Sequence, residues 1–240
     1  MTAAIECRSV FSEIHGRELF KGLNLVLERG KKHALVGANG SGKTALLNVI
    51  CGLLPITGGE IWLEGRRVDR LSVRERVLSC ALARSFQTPQ LLRHLSVAEN
   101  IALAYARRAS VLSALGLRAP DHHDSLYGLK EELKDLGIRP ATWSHPVETL
   151  SHGNQRLVDL ARALAAPSRV LLLDEPFSNL HRDLCARVCE HLDRRMESGA
   201  CTILVISHEP DIIEGWADNI VEASALLGRR SSSRETRTPC

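Results

Sequence analysis

Residues Gly37-Ala38-Asn39-Gly40-Ser41-Gly42-Lys43-Thr44 match the pattern G-x-x-x-x-G-K-[ST]. Glycines let a backbone wrap closely around phosphate, so that its N–H groups point at anionic oxygens. The start of a following helix adds a field that favours anions. Lys43 can then neutralise β- and γ-phosphates, and Thr44 can ligate Mg²⁺. A glycine-rich turn that merely contains a lysine is the competing reading; the strand-like His33–Val36 before it and the amphipathic run after it weigh against that. A second constellation lies in Val170-Leu-Leu-Leu-Asp174-Glu175-Pro176, a buried-strand pattern ending in two carboxylates. An acid at the C-terminal end of a parallel strand sits beside a phosphate loop. There Asp174 suits a metal, directly or through water, and Glu175 suits orienting and polarising an attacking water.

A third segment, Leu150-Ser151-His152-Gly153-Asn154-Gln155, precedes a run with Leu157, Leu160, Ala161 and Leu164 at helical spacing. Ser151 and Gly153 at that helix start form a second anion-binding surface, or simply an N-cap without a ligand. The segment resembles the LSGGQ signature of ABC ATPases and stands shortly before the Asp-Glu pair, as in that family. With the glycine-rich loop it implies a P-loop NTPase core with a mostly parallel sheet, an N-terminal antiparallel β region and an inserted helical lobe. The resemblance further implies a head-to-tail dimer, each ATP lying between Lys43 of one subunit and Ser151 and Gly153 of the other. Gln87, in Arg84-Ser-Phe-Gln-Thr-Pro, matches the Q-loop, which links Mg²⁺ and the attacking water to the lobe. His208, in Leu204-Val-Ile-Ser-His, matches the switch histidine that contacts the γ-phosphate. The implied catalytic set is Glu175, His208, Gln87 and Lys43, with Thr44, Gln87 and Asp174 for Mg²⁺. The matched motifs run from about 35 to 220.

The chain departs from the family pattern at several positions. Where the family commonly has an adenine-stacking aromatic near residue 14, Ile14 and His15 occur with Phe11 nearby, so base stacking is either weaker or carried by His15. Ala45 replaces a hydroxyl residue, His152 the first signature glycine, Asn154 the signature glutamine, and His181 an aspartate after the acidic pair. The stretches Arg84–Leu92 and Leu95–Asn100 resemble the ATPases of branched-chain amino acid and related importers. That likeness implies separate membrane permease subunits, docked near Gln87 to Leu95, a substrate-binding protein, and a place on the cytoplasmic face of a membrane. An ABC-type ATPase of a soluble assembly, such as iron–sulfur cluster biogenesis, is the alternative. A non-hydrolysing nucleotide-binding regulator is a third reading, which the intact Glu175 and His208 oppose.

These groups need a scaffold, and apolar runs alternating with helical periods suggest an α/β sheet with crossover helices. Strands are expected over Ala3–Val10, Leu23–Leu27, His33–Val36, Glu60–Leu63, from Val170, and over Cys201–Ser207. Helices are expected from Gly42 through Ile50, over about 181–198, and from a capping box at Ser96-Val-Ala-Glu99 through Tyr105. A loop around 119–123 precedes a helix carrying Leu126, Leu129, Leu133 and Leu136, stopped by Gly137. One ATPase domain over 1–223 follows, its core about 1–89 and 166–223 and its lobe about 90–165. No closing hairpin is readable after Ile220, and the Ser/Arg-rich 224–240 reads as a disordered tail.

Composition bounds these readings. A chain of 240 residues buries a core without staples, and a net charge of +3 gives no case for nucleic acid. No apolar run approaches the roughly 20 residues of a membrane helix. The start lacks a secretion signal, and seven cysteines without a CxxC pair read as reduced packing residues in a cytosolic compartment.

Overall fold

The structure, a computed structural model, describes residues 2–104, 133–165, 168–197 and 201–227. Two sheets organise it. β1 (Ala3–Ile14) and β2 (Arg17–Glu28) form a long antiparallel hairpin, joined at the other edge of β1 by β4 (Gly58–Leu63) and β5 (Arg66–Arg67) in the order β2-β1-β4-β5. The second sheet is parallel: β6 (Leu82–Arg84), β7 (Val170–Asp174), β8 (Thr202–Ser207), β3 (Lys32–Val36) and β9 (Asn219–Glu222), in that spatial order.

Every residue of β7 and β8 is buried, as an apolar strand covered on both faces must be. Alternation along the strands sorts the core into two. Leu35, Val170, Leu172, Leu204 and Ile206 join Leu46, Leu47, Val49 and Ile50 of the helix Lys43–Cys51 and the inner face of the antiparallel sheet. Ala34, Leu171, Leu173, Ile203 and Val205 face the other way. They pack on Leu157, Leu160, Ala161 and Leu164 of the helix His152–Ala165, and on Val188 and Leu192 of the helix Arg182–Glu197. The expected strands are present, β1 to β4 with longer ends than their apolar runs suggested, as are the helices expected after Gly42 and over about 181–198.

The helix Val73–Cys80 was not anticipated. Its start carries a full capping box between Ser72 and Glu75, and its Arg76 turns inward. Arg76 Nη1 donates to the carbonyls of Val49 and Ile50, each at 2.8 Å, at the last turn of the helix Lys43–Cys51. Its Nε and Nη2 donate to Leu71 O and Asp69 O. The predicted capping box at Ser96 and Glu99 also forms, with Glu99 Oε2 2.8 Å from Ser96 N, opening a helix described over 97–104. Gly137, at φ 78°, ends the turn carrying Leu133 and Leu136. The expected loop at 119–123 and the helix around Leu126 and Leu129 lie outside the described residues, as does the helix beyond 104.

Two expectations change at the C-terminal end. Asn219–Glu222 is a strand, pairing parallel with β3, and its exposed pattern hides it from a search for apolar runs. Ala223–Leu227 is helical rather than the start of an aperiodic tail, with Ala223 fully buried against the core. The tail from 228 lies outside the described residues. Among the described cysteines all six are free thiols, and burial pushes Cys7 and Cys189 up to about 12.

Candidate functional site

The loop after β3 is shaped by glycine. Gly37, Gly40 and Gly42 have φ of 146°, 76° and 104°, conformations that residues with a side chain rarely adopt. Gly42 caps the helix Lys43–Cys51 without a side-chain bond, so the first-turn N–H groups remain available to a ligand. Lys43 is 6% exposed, and its Nζ donates to the carbonyls of Gly37 (2.7 Å) and Ala38 (2.9 Å), closing the loop on itself. Ser41 Oγ is buried without a hydrogen-bond partner. An orphaned hydroxyl beside free amides fits an anion.

A cavity of about 520 Å³ opens over this loop. Asn39 to Ala45 line its floor, Gln87 and Glu175 one wall, and Arg17 and Leu19 another. Asp174 lies just beneath, fully buried at the end of β7. Thr44 Oγ1 donates to its Oδ1 at 3.2 Å, and Arg84 Nη2 sits 3.3 Å from its Oδ2. Burial pushes the Asp174 carboxyl up, against the pull of Arg84 and Thr44. Glu175 has φ 53°, an uncommon conformation for a residue with a side chain. Its Oε2 lies 2.7 Å from His208 Nδ1 at the end of β8.

His15 is not brought to this cavity. Its φ of 49° and the 74° of Gly16 make the two-residue turn between β1 and β2, and its side chain is exposed at the tip. Strand alternation presents Arg17 and Leu19 instead, two residues apart on one face. Ser151 and Gly153 also contribute nothing to the lining; Ser151 is exposed and accepts from Asn154 N at 3.4 Å as a helix cap.

Sequence reasoning missed the groups that bind the walls together. Arg156, one turn into the helix His152–Ala165, donates to the carbonyls of Phe86 (2.9 Å), Gln87 and Glu175, and to Ser178 Oγ (2.7 Å). Asp159, three residues on, accepts from the amides of Phe86 and Gln90, each at 3.3 Å, and pairs with Arg162 at 2.8 Å. Burial raises the Asp159 carboxyl, opposed chiefly by Arg162. The available signal was a charged pair at i,i+3 within an otherwise apolar helix face.

A glycine loop closing on its own lysine, between a parallel strand and a helix and beside a buried strand-end aspartate, defines a P-loop nucleotide-binding protein. The family model for ABC transporters matches residues 20–178, more than half of the chain, and the chain belongs to that family as an ATP-binding cassette, an ATPase. Its fold is similar to a bacterial ABC transporter cassette, MJ0796, solved as a dimer (TM-score 0.80, 24% identity, 91% of this chain and 93% of that one). A post-hydrolysis dimer of the same cassette with ADP and Pi matches at TM-score 0.78 and 23% identity, over 91% and 93% of the two chains. The cbiO1 protein of Clostridium perfringens, part of the cbiONQ transporter complex, matches at 0.71 and 24%, over 92% and 85%.

Proposed function

We propose that this chain binds ATP with Mg²⁺ in the cavity above Gly37–Thr44, hydrolyses it with Glu175, and as part of a dimer energises separate membrane permeases. The observation that carries the reading is the shared lining of one cavity by the Lys43–Thr44 loop, Gln87 and Glu175, with Asp174 bonded to Thr44 below. Lys43 holds the terminal phosphates after exchanging its two carbonyl partners for phosphate oxygens. The orphaned Ser41 hydroxyl and the first-turn amides supply further donors.

The donors beside the loop, Thr44 Oγ1, Asp174 and the Gln87 amide, are all oxygen ligands, which suits a hard divalent cation. When bound, Mg²⁺ supplies charge neutralisation across the β- and γ-phosphates. Glu175 accepts a hydrogen bond from the attacking water, orienting it, and His208, outside the cavity lining, holds that carboxylate in place. Ser151 and Gly153 stand outside this cavity on an exposed helix start, consistent with service to a second subunit's nucleotide. The dimeric cassette of similar fold supports that assembly.

Among the described residues no helix is long and apolar enough to cross a membrane. Small-solute import of the amino-acid type, with a substrate-binding protein, is the transport system proposed on the likeness of residues 84–100. Residues 87–95, with Leu92 52% exposed, form the proposed permease contact. Phosphate release by the purified chain with MgATP, strongly reduced in Glu175→Gln, tests hydrolysis. Co-purification with a hydrophobic permease encoded beside it tests the transport role; recovery only in a soluble complex would assign it to another assembly.

A further inference from the structure

Asp174 belongs to the proposed metal site, yet both its oxygens are engaged: Oδ1 by the Thr44 hydroxyl and Oδ2 by Arg84. The Arg84 side chain is 6% exposed and that of Asp174 is 0% exposed. Arg84 is also anchored from two other directions. Its Nη1 donates to Asn48 Oδ1 at 2.7 Å, and its guanidinium lies 4.7 Å over the Phe86 ring. Asn48 is one turn beyond Thr44 on the same helix, so Arg84 is tied to both the metal-side strand and the phosphate-side helix. A buried carboxylate without a counter-charge is costly, and here Arg84 supplies one from within the chain.

We propose that Arg84 is a positioning residue that makes divalent-cation binding conditional on nucleotide. Without a triphosphate, the charges bordering the cavity are Arg17, Lys43 and Arg84 against Asp174 and Glu175, three positive and two negative, and the oxygens of Asp174 are already satisfied. Nothing there concentrates a free dication. A triphosphate adds several negative charges at the loop, and the cation then binds between its oxygens and Thr44, with Asp174 still aligned by Arg84. The Thr44 hydroxyl donates to Asp174, which leaves its oxygen lone pairs free for the ion. Arg84 thereby keeps the site from filling with metal ahead of its substrate.

The proposal rests on the Thr44–Asp174 metal site of the proposed function. The test is a Mn²⁺ titration followed by electron paramagnetic resonance, with and without a non-hydrolysable ATP analogue. Nucleotide-free wild-type protein is expected to bind Mn²⁺ weakly, and Arg84→Gln to bind it about tenfold or more tightly, since a unit charge a few ångströms from the ion is removed. Arg84→Lys should resemble wild type, and adding Asp174→Asn to Arg84→Gln should cancel the gain. With the analogue present, wild type and Arg84→Gln should both bind Mn²⁺. Circular dichroism establishes folding. If Arg84→Gln does not fold, Asn48→Ala, which frees the guanidinium, must show a smaller tightening. Equal Mn²⁺ affinity in wild type and the folded variant overturns the proposal, as does wild type binding Mn²⁺ equally well without nucleotide. Failure of wild type to bind Mn²⁺ even with the analogue would instead remove the metal site itself.

Discussion

Glu175 and His208 grip one another twice: Glu175 Oε2 lies 2.7 Å from the imidazole Nδ1 and 3.3 Å from the backbone N of His208. The carboxylate comes from the end of β7 and the histidine from the end of the neighbouring β8, so parallel register sets the pair. The Glu175 side chain is 7% exposed and lines the cavity, while His208 is 46% exposed and stands outside that lining.

Glu175→Gln keeps the shape but loses the charge proposed to polarise water. Phosphate release should fall by about 10²-fold or more, the scale of general-base assistance, with nucleotide affinity kept. A nucleotide-dependent shift to dimer in gel filtration should accompany it. Unchanged turnover would falsify the role of Glu175.

Lys43→Ala removes both the proposed phosphate contact and the two bonds that close the loop. ATP affinity should drop at least about tenfold, since charge-assisted bonds contribute roughly 1.5–3 kcal/mol each. Equilibrium binding of a fluorescent ATP analogue measures this. Affinity equal to wild type would mean that Lys43 stays on Gly37 and Ala38 when nucleotide binds.

Arg156→Gln strips a buried cation from three carbonyls and Ser178. Breaking so buried a site costs about 3–5 kcal/mol, which for a domain of this size lowers the melting temperature by about 10 °C. Turnover should fall too, because the Gln87 carbonyl and the carbonyl of Glu175 lose their common anchor. Arg156→Lys should recover part of the stability and less of the turnover. Differential scanning calorimetry beside steady-state kinetics separates these; a variant as stable as wild type would show that the anchor is dispensable.

Glu75 and Glu99, each in a capping box, have their carboxyls held below the ordinary 4.5 by hydrogen bonds from Ser72 and Ser96. A folded-state value below the unfolded one means that stability is present above about pH 4.5 and is lost as pH falls through the lower, folded value. Thermal melts from pH 6 to pH 3 should show this loss. The double variant Glu75→Gln, Glu99→Gln keeps the bonding pattern in neutral form, so its melting temperature should depend less on pH in that window. Identical slopes for both proteins would discount the capping carboxylates.

The sheet and its phosphate loop were legible because continuous apolar strands and glycine punctuation have few alternatives. β7, β8 and Gly37–Thr44 are such segments. What escaped was polar. The reading ended β1 at Val10, yet Glu13↔Glu18 and Ile14↔Arg17 extend the ladder along an exposed face, where backbone bonds suffice. β9 lies at a sheet edge with little buried surface to mark it. Arg156 and Asp159 look like a solvated helix face in a string of letters. Their i,i+3 spacing on an otherwise apolar face is the one hint in the sequence; proximity to 86–90 and 175 makes them buried partners, 7% and 2% exposed. His15 suggests base stacking by its ring alone, while the turn that holds that ring away from the cavity is decided by two positive φ values.

Arg76 covers the far end of the helix whose near end carries the phosphate loop. An aligned run of peptide dipoles has two opposite poles, and normally the distal one partly offsets the proximal one. With a guanidinium seated on the last-turn carbonyls, the negative pole is masked by the protein's own charge. The helix then acts on an approaching anion less as a dipole than as a single positive end, whose attraction decays more slowly with distance. A cation on the opposite side of the core from the nucleotide thus lengthens the range over which the loop is felt.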